Sequence, residues 1–258
     1  MKICAIAKTT LIDYPGHVAA TVFLAGCNFR CPWCYSKELV LPELIAQQPE
    51  ILPEEFFAFL EGKRGLLEGV VLCGGEPTLN PDLPEFIKKI KAMGFLVKLD
   101  SNGSNPKMLK ELIDNELIDY VAMDIKLSKE KYALVFSGGP TPANKAGLNA
   151  GVQPPQQFPQ NLQVEDIEES IKILKNGAVD FEFRTTVAPG VHTPDDLGRM
   201  AKWIGQEVPG MPPKYFLQNF RPERNIDPKF ETKKPFPPEF FIEALEKIKP
   251  FVSDCHLR

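Results

Sequence analysis

No stretch of about 18 apolar residues occurs in this 258-residue chain, so the sequence offers no ordinary membrane-spanning helix. It has no block of Lys and Arg either, and 30 basic against 34 acidic residues leave a formal charge of −4. That balance speaks against binding a nucleic-acid backbone. The start, Met1-Lys2-Ile3-Cys4-Ala5-Ile6-Ala7-Lys8, lacks a full apolar signal core before polar Thr9-Thr10. Internal repeats are missing, and so is any Ser, His and Asp arrangement for nucleophilic catalysis. These absences predict a cytoplasmic protein without membrane or nucleic-acid partners. What is present is ordinary for a globular chain: 43% hydrophobic and 25% charged residues. The length allows one large domain or two small ones, with room for a sizeable core.

The six cysteines are unevenly spread. Cys27, Cys31 and Cys34 sit within one short segment, while Cys4, Cys73 and Cys255 are scattered. In a reducing cytosol such clustering points to metal binding or catalysis before disulfides.

Along the chain, strand-like and helix-like stretches alternate. Residues 18–24 are β-branched and apolar, and a Tyr14-Pro15-Gly16-His17 turn predicts a hairpin with 9–12. Further strands are predicted at 69–73, 95–100, 120–125, 181–187 and 214–218. Helices are predicted at 53–61, 83–93, 107–115, 164–175, 194–204 and 238–249, several opening with Pro or Asp near the first turn. Six strands each followed by a helix imply a parallel sheet, because parallel neighbours need helical crossovers. An open doubly wound sheet and a partial barrel both satisfy this pattern, and both put the active site at the carboxyl ends of the strands. Residues 137–163 break it. They are rich in Pro, Gly, Gln and Asn, and read as a flexible insertion: a surface loop, or a lid beside the site.

Two motifs carry chemistry. The first is Cys27-Asn28-Phe29-Arg30-Cys31-Pro32-Trp33-Cys34, just after the first core strand. Three thiolates on one loop can hold three corners of a cubane iron–sulfur cluster and leave one iron open to an outside ligand. The alternative is a zinc site with a distant fourth ligand such as Cys73 or His17, although zinc sites more usually use a second cysteine pair. The second motif is Gly74-Gly75-Glu76-Pro77 at the end of the next strand. Its glycines would let a ligand's ammonium group approach backbone carbonyls, and Glu76 adds a carboxylate. Alone it also reads as a simple strand-ending turn; beside the cysteine loop it reads as a ligand site.

With these two motifs the chain resembles the radical S-adenosylmethionine (SAM) superfamily. The segments Thr9-Thr10-Leu11-Ile12-Asp13-Tyr14-Pro15-Gly16, Lys98-Leu99-Asp100-Ser101-Asn102-Gly103 and Asp119-Tyr120-Val121-Ala122-Met123-Asp124-Ile125-Lys126 extend the likeness. So do Arg184-Thr185-Thr186-Val187-Ala188-Pro189-Gly190 and Gln218-Asn219-Phe220-Arg221. Together they are similar to the glycyl-radical-enzyme activases, in the branch labelled anaerobic ribonucleoside-triphosphate reductase activating protein.

The resemblance implies a single radical SAM domain over 1–258. Its fold would be α/β, a partial (β/α)6 TIM-like barrel of parallel strands with an N-terminal β-hairpin extension. It implies that Cys27, Cys31 and Cys34 ligate a [4Fe–4S] cluster and that Gly74, Gly75, Glu76 and Pro77 take the SAM amine. Trp33 would lie against the adenine, with core packing as the alternative. Asp100, Ser101 and Asn102 would face the ribose and carboxylate. Asp124 and Lys126 would stand near the carboxylate, Lys126 as a member of the reacting site. The two aspartates can also help hold a monovalent cation. Arg184 and His192 would close the site; the alternatives are a salt bridge for Arg184 and a surface loop for His192. Tyr35-Ser36 stands where relatives commonly show His-Asn, with Tyr35 near the cofactor. The ferredoxin-like insert of some activases is absent.

The implied activity is reductive cleavage of SAM to a 5′-deoxyadenosyl radical that abstracts hydrogen from a glycine of a partner glycyl radical enzyme, with a flavodoxin- or ferredoxin-type reductant. A radical SAM enzyme acting on a small molecule, such as a nucleobase or cofactor precursor, is the alternative. A non-catalytic iron–sulfur or zinc module would have no need of the Gly-Gly-Glu-Pro or Asp-Ile-Lys segments.

Overall fold

A computed structural model describes residues 1–136 and 162–258; the insertion expected over 137–163 falls, as far as residue 161, outside the described residues. Among the described residues, eight strands form one sheet in simple chain order. They are β1 (Ile3–Thr10), β2 (Ala19–Leu24), β3 (Gly69–Gly74), β4 (Leu96–Ser101), β5 (Tyr120–Asp124), β6 (Asp180–Val187), β7 (Tyr215–Asn219) and β8 (Cys255–Leu257). β1 runs antiparallel to β2, and every later pairing is parallel. β1 and β8 are not paired with each other, so the partial barrel stays open on one side.

Strand periodicity sorts the residues onto two faces. Val22, Leu24, Val70, Leu72, Val97, Leu99, Val121, Met123, Phe183 and Leu217 point outward into the core shared with the helices. The alternate positions Thr21, Phe23, Cys73, Asp100, Asp124, Arg184, Thr186 and Gln218 line the hollow. The chemistry therefore sits on the inner face, and the outer face supplies the apolar burial that holds the sheet to its helices.

Those helices are α1 (Pro53–Glu61), α2 (Leu83–Ala92), α3 (Pro106–Asp114), α4 (Val164–Lys175), α5 (Pro194–Lys202) and α6 (Pro238–Ile248). Proline stands in the first turn of all but α4, where its missing N–H costs nothing. Asn105 caps α3 by accepting from the Met108 amide at 3.2 Å. Thr193 and Asp196 cap α5 reciprocally. α3 packs on α4 and α5 on α6. Among the described residues no helix is long and apolar enough to cross a membrane.

Two edges differ from the sequence reading. The hairpin partner of β2 is Ile3–Thr10 rather than 9–12: Thr10 pairs with Ala19, and its Oγ1 then accepts from the Ile12 and Asp13 amides, turning the chain away. A seventh parallel strand, β8, adds only three residues to the sheet beside β7. Both are edge strands, where one flank lacks a partner and the alternation of buried residues is weak.

Candidate active site

The carboxyl ends of the parallel strands and the loops that follow them meet at a cleft of about 430 Å³. Its walls include Cys27, Cys31, Trp33, Cys34, Tyr35, Gly74, Gly75, Asp100, Ser101, Asn102, Asp124, Lys126 and Arg184. A second hollow of about 640 Å³ opens beside it and shares Asp13, Tyr35, Arg184, Thr186 and Gln218 with the first.

The cysteine loop is held from several directions. The Cys27 sulfur accepts from the Phe29 amide at 3.4 Å and from Asn102 Nδ2 at 3.8 Å. Asn102 Nδ2 also donates to Asn28 Oδ1 at 3.0 Å, and Asn28 Nδ2 donates to Ser104 Oγ at 2.8 Å. From the far end of the chain, the Ile226 and Asp227 amides donate to the carbonyls of Cys34 and Pro32, each at 2.9 Å. Buried Asn225 completes this clamp, its Nδ2 donating to the Trp33 carbonyl at 2.9 Å. Nothing in the local sequence announced the clamp, although the Gln218–Arg221 segment before it belongs to the family resemblance.

Burial pushes the Cys27 thiol up to about 12 and raises Cys31 and Cys34 as well, so the free chain carries protonated thiols that must lose protons to bind iron. Cys27, Cys31 and Cys34 all line this one cleft, and three thiolates from one loop are the donor set of a cubane cluster with one open iron, whereas a closed structural zinc site takes four ligands. The donor set therefore fits the cluster.

The Gly-Gly-Glu-Pro turn is built for contact with the chain itself. A Cβ on Gly74, whose φ is +122°, would lie 2.3 Å from the Leu24 carbonyl oxygen; on Gly75 it would lie 2.0 Å from that of Gly26. The Gly75 and Glu76 amides donate to those same two carbonyls at 2.9 and 2.7 Å. The glycines are needed because the turn lies directly on the backbone that leads into the cysteine loop.

Three residues expected at the cofactor stand behind the cleft wall. Glu76 is fully buried: its Oε1 accepts from Thr78 N (3.2 Å), Thr78 Oγ1 (2.6 Å) and Ser101 Oγ (2.9 Å), and its Oε2 from Asn102 N (2.6 Å). Burial raises its pKa while these donors pull it down. Its carboxylate ties two strand ends together instead of facing the cleft. Pro77 is buried beside it. His192 is also buried. Its Nδ1 accepts from the Ala188 amide at 3.0 Å, which leaves Nε2–H to donate to the Lys126 carbonyl at 2.9 Å. Trp33 packs edge-on against this imidazole with ring centroids 5.8 Å apart.

A row of alternating charge crosses the ends of β4, β5 and β6. Buried Lys98 pairs with Asp100 Oδ1. Arg184 Nη1 reaches Asp100 Oδ2, and its Nε reaches Asp124 Oδ1, both at 3.1 Å. Lys126 Nζ donates to Asp124 Oδ2 at 2.8 Å. Burial alone would raise the Asp124 pKa, but Lys126 and Arg184 overcome it and bring it to about 2. Asp124 in turn raises Lys126 despite its burial. Three cations against two anions leave one net positive charge, suited to a ligand carboxylate. All four oxygens of the two aspartates are engaged by protein cations, so a monovalent cation here would have to displace one of them.

The sequence reading gave no role of their own to Lys98 and Asn28. Lys98 was findable, because positions 98 and 100 share a strand face. Cys73, named as a distant fourth ligand in the zinc alternative, lines the cleft at the end of β3.

This open parallel barrel, with three thiols at the mouth of its first core strand, defines a class. A family model described as the radical SAM superfamily matches residues 21–204, and the chain belongs to that superfamily, whose members use a [4Fe–4S] cluster and SAM. Among relatives, a protein of Methanocaldococcus jannaschii with the provisional name glycyl-radical enzyme activating enzyme is 31% identical over 262 residues, covering 99% of this chain and 95% of that protein. The 7-carboxy-7-deazaguanine synthase of Methanopyrus kandleri is 34% identical over 131 residues, covering 44% of this chain and 51% of that enzyme. In fold, a domain of pyruvate-formate lyase-activating enzyme from Bacteroides vulgatus ATCC 8482 matches with a TM-score of 0.52 at 14% identity, over 74% of this chain and 98% of that domain.

Proposed function

We propose that this protein is a radical SAM activase that generates a radical on a backbone glycine of a partner glycyl radical enzyme. The observation that carries the reading is the second hollow. It opens beside the unclosed edge of the sheet, lined by Asp13, Gln218, Asn219 and Arg258, and shares Tyr35 and Arg184 with the cleft. An extended protein segment entering there would bring a glycine beside the site that holds SAM. The full-length likeness to the Methanocaldococcus protein supports the same reading.

Cys27, Cys31 and Cys34 would hold the cluster, leaving one iron for SAM. When bound, the cluster supplies one electron, from a flavodoxin- or ferredoxin-type donor, that splits SAM into methionine and a 5′-deoxyadenosyl radical. The chain's own residues orient the reactants and keep out water. Gly74 and Gly75 present backbone to the SAM amine, and the Lys126 and Arg184 cations receive its carboxylate. Asp100 and Asp124 hold those cations in place, and Ser101 and Asn102 form the wall beside the ribose. Trp33 and Tyr35 supply aromatic surface for the adenine. Glu76 and His192 act from behind the wall by fixing the strand ends. No general acid or base is needed, which fits a cleft whose Asp100 and Asp124 carboxylates are both committed to ion pairs. The six free cysteines fit a reducing, cytoplasmic setting.

The test is isotopic. The reconstituted enzyme is incubated anaerobically with reductant, SAM and a glycyl radical enzyme labelled with deuterium at its glycine Cα. Deuterium in the 5′-deoxyadenosine supports the reading. Unlabelled product, together with label acquired from a deuterated nucleobase or cofactor precursor, replaces it with the small-molecule activity of relatives such as the deazaguanine synthase.

A further inference from the structure

Arg30 lies inside the cysteine loop, between Cys27 and Cys31, and only 2% of it is exposed. Its Nη1 donates to the carbonyls of Cys27 at 2.7 Å and Phe29 at 2.8 Å. Nε and Nη2 are buried and have no acceptor among the described residues. Burying part of a guanidinium without partners is costly, and native proteins rarely leave it so. The negative groups near it are Glu43 and, once ionised, Cys27, Cys31 and Cys34. Glu43 itself is exposed and makes no ion pair with Arg30 among the described residues. Holding two loop carbonyls needs only the N–H groups of Nη1. A role as a loop staple therefore leaves the rest of the fork unexplained.

What the loop lacks in the free chain is negative charge, and three thiolates with their cluster would bring it. A cluster held by three thiolates is anionic and becomes more so when it takes an electron. A fixed positive charge buried beside it, at low local dielectric, stabilises the reduced state more than the oxidised one. We propose that Arg30 is a buried counter-charge for the iron–sulfur cluster, making that cluster easier to reduce. The proposal rests on the reading that Cys27, Cys31 and Cys34 hold the cluster. Arg30 is a tuning residue here, with no part in SAM or substrate contact.

The experiment compares the wild-type chain with Arg30→Met and Arg30→Gln. Each is reconstituted anaerobically with iron and sulfide, and its cluster is titrated against redox potential by electron paramagnetic resonance in the absence of SAM. Thermal unfolding of the iron-free proteins is measured in parallel. The iron-free variants are expected to unfold in one cooperative transition, so that any change in potential belongs to a folded chain. The reduction equilibrium of the Arg30→Met cluster should shift against reduction at least tenfold, which is about 59 mV for a one-electron couple. If Arg30→Met takes up no cluster, Arg30→Gln, which keeps a donor for the loop carbonyls but no charge, is titrated in its place with the same expected shift. A variant cluster with the wild-type potential overturns the proposal. A wild-type chain that assembles no cluster instead overturns the reading of the cysteine site.

Discussion

Acid should loosen the rim of the site through one residue, His192. In the folded chain its imidazole is locked neutral, because the Ala188 amide points at Nδ1 and Nε2–H is spent on the Lys126 carbonyl. A second proton must go onto Nδ1, where it breaks the Ala188 bond and buries a charge under Trp33. Burial is the main cause that lowers its pKa from 6.5 to about 4; Asp196 opposes this and Lys131 adds to it. A base whose folded-state pKa is depressed contributes its full stability above the unfolded value. That stability is lost as pH falls from 6.5 toward 4. At about 1.4 kcal/mol per pH step, the whole loss is about 3 kcal/mol, and about 2 kcal/mol is gone by about pH 5. The assay is thermal unfolding of the metal-free protein at about pH 7 and pH 5, for wild type and for non-titrating His192→Gln. Subtracting the two pH responses removes every other titrating group. Wild type should lose about 4–8 °C more than the variant. Equal pH responses would refute the buried neutral imidazole.

Three further perturbations probe the same architecture. Gly75→Ala forces a Cβ to 2.0 Å from the Gly26 carbonyl oxygen and should cost about 3 kcal/mol, read as a lower urea midpoint; an unchanged midpoint would show that the turn can yield. Asn225→Ala removes the side-chain bond to the Trp33 carbonyl, worth about 1–2 kcal/mol, and should speed cluster loss to a chelator; wild-type release kinetics would exclude the clamp. Asp124→Asn leaves Lys126 and Arg184 without their shared anion and should weaken SAM binding about tenfold or more in isothermal titration while iron content holds. Unchanged affinity would remove the charge row from the binding site.

The sequence disclosed the layout of the molecule because its signals are local. The five strands from β3 to β7 and the six helices fall within about two residues of their expected bounds, since apolar runs alternate with proline-led helical stretches. β1 and β8 escaped because an edge strand is half-paired and carries little pattern. The cysteine spacing and the strand-end segments pointed to residues that do meet at one cleft, because βα order delivers every strand end to the same rim. The sequence could not show which way Glu76 and His192 face. That depends on donors brought by other strands: Ser101 and Asn102 for Glu76, and the Lys126 carbonyl for His192. The clamp on the cysteine loop was hidden for the same reason, since Asn225 and Trp33 lie 192 positions apart. The glycine motif was read as room for a ligand beside the backbone; the structure adds a second demand on the same glycines, the close packing of Gly74 and Gly75 on the Leu24 and Gly26 backbone.

The most direct test of the account is anaerobic reconstitution with iron and sulfide, then reduction with dithionite and addition of SAM. The product is quantified while the cluster's electron paramagnetic resonance signal is followed. 5′-Deoxyadenosine and methionine are expected, together with a reduced-cluster spectrum altered by SAM. A chain that assembles its cluster but leaves SAM intact and the spectrum unchanged, or that takes up only zinc, would contradict the proposed function.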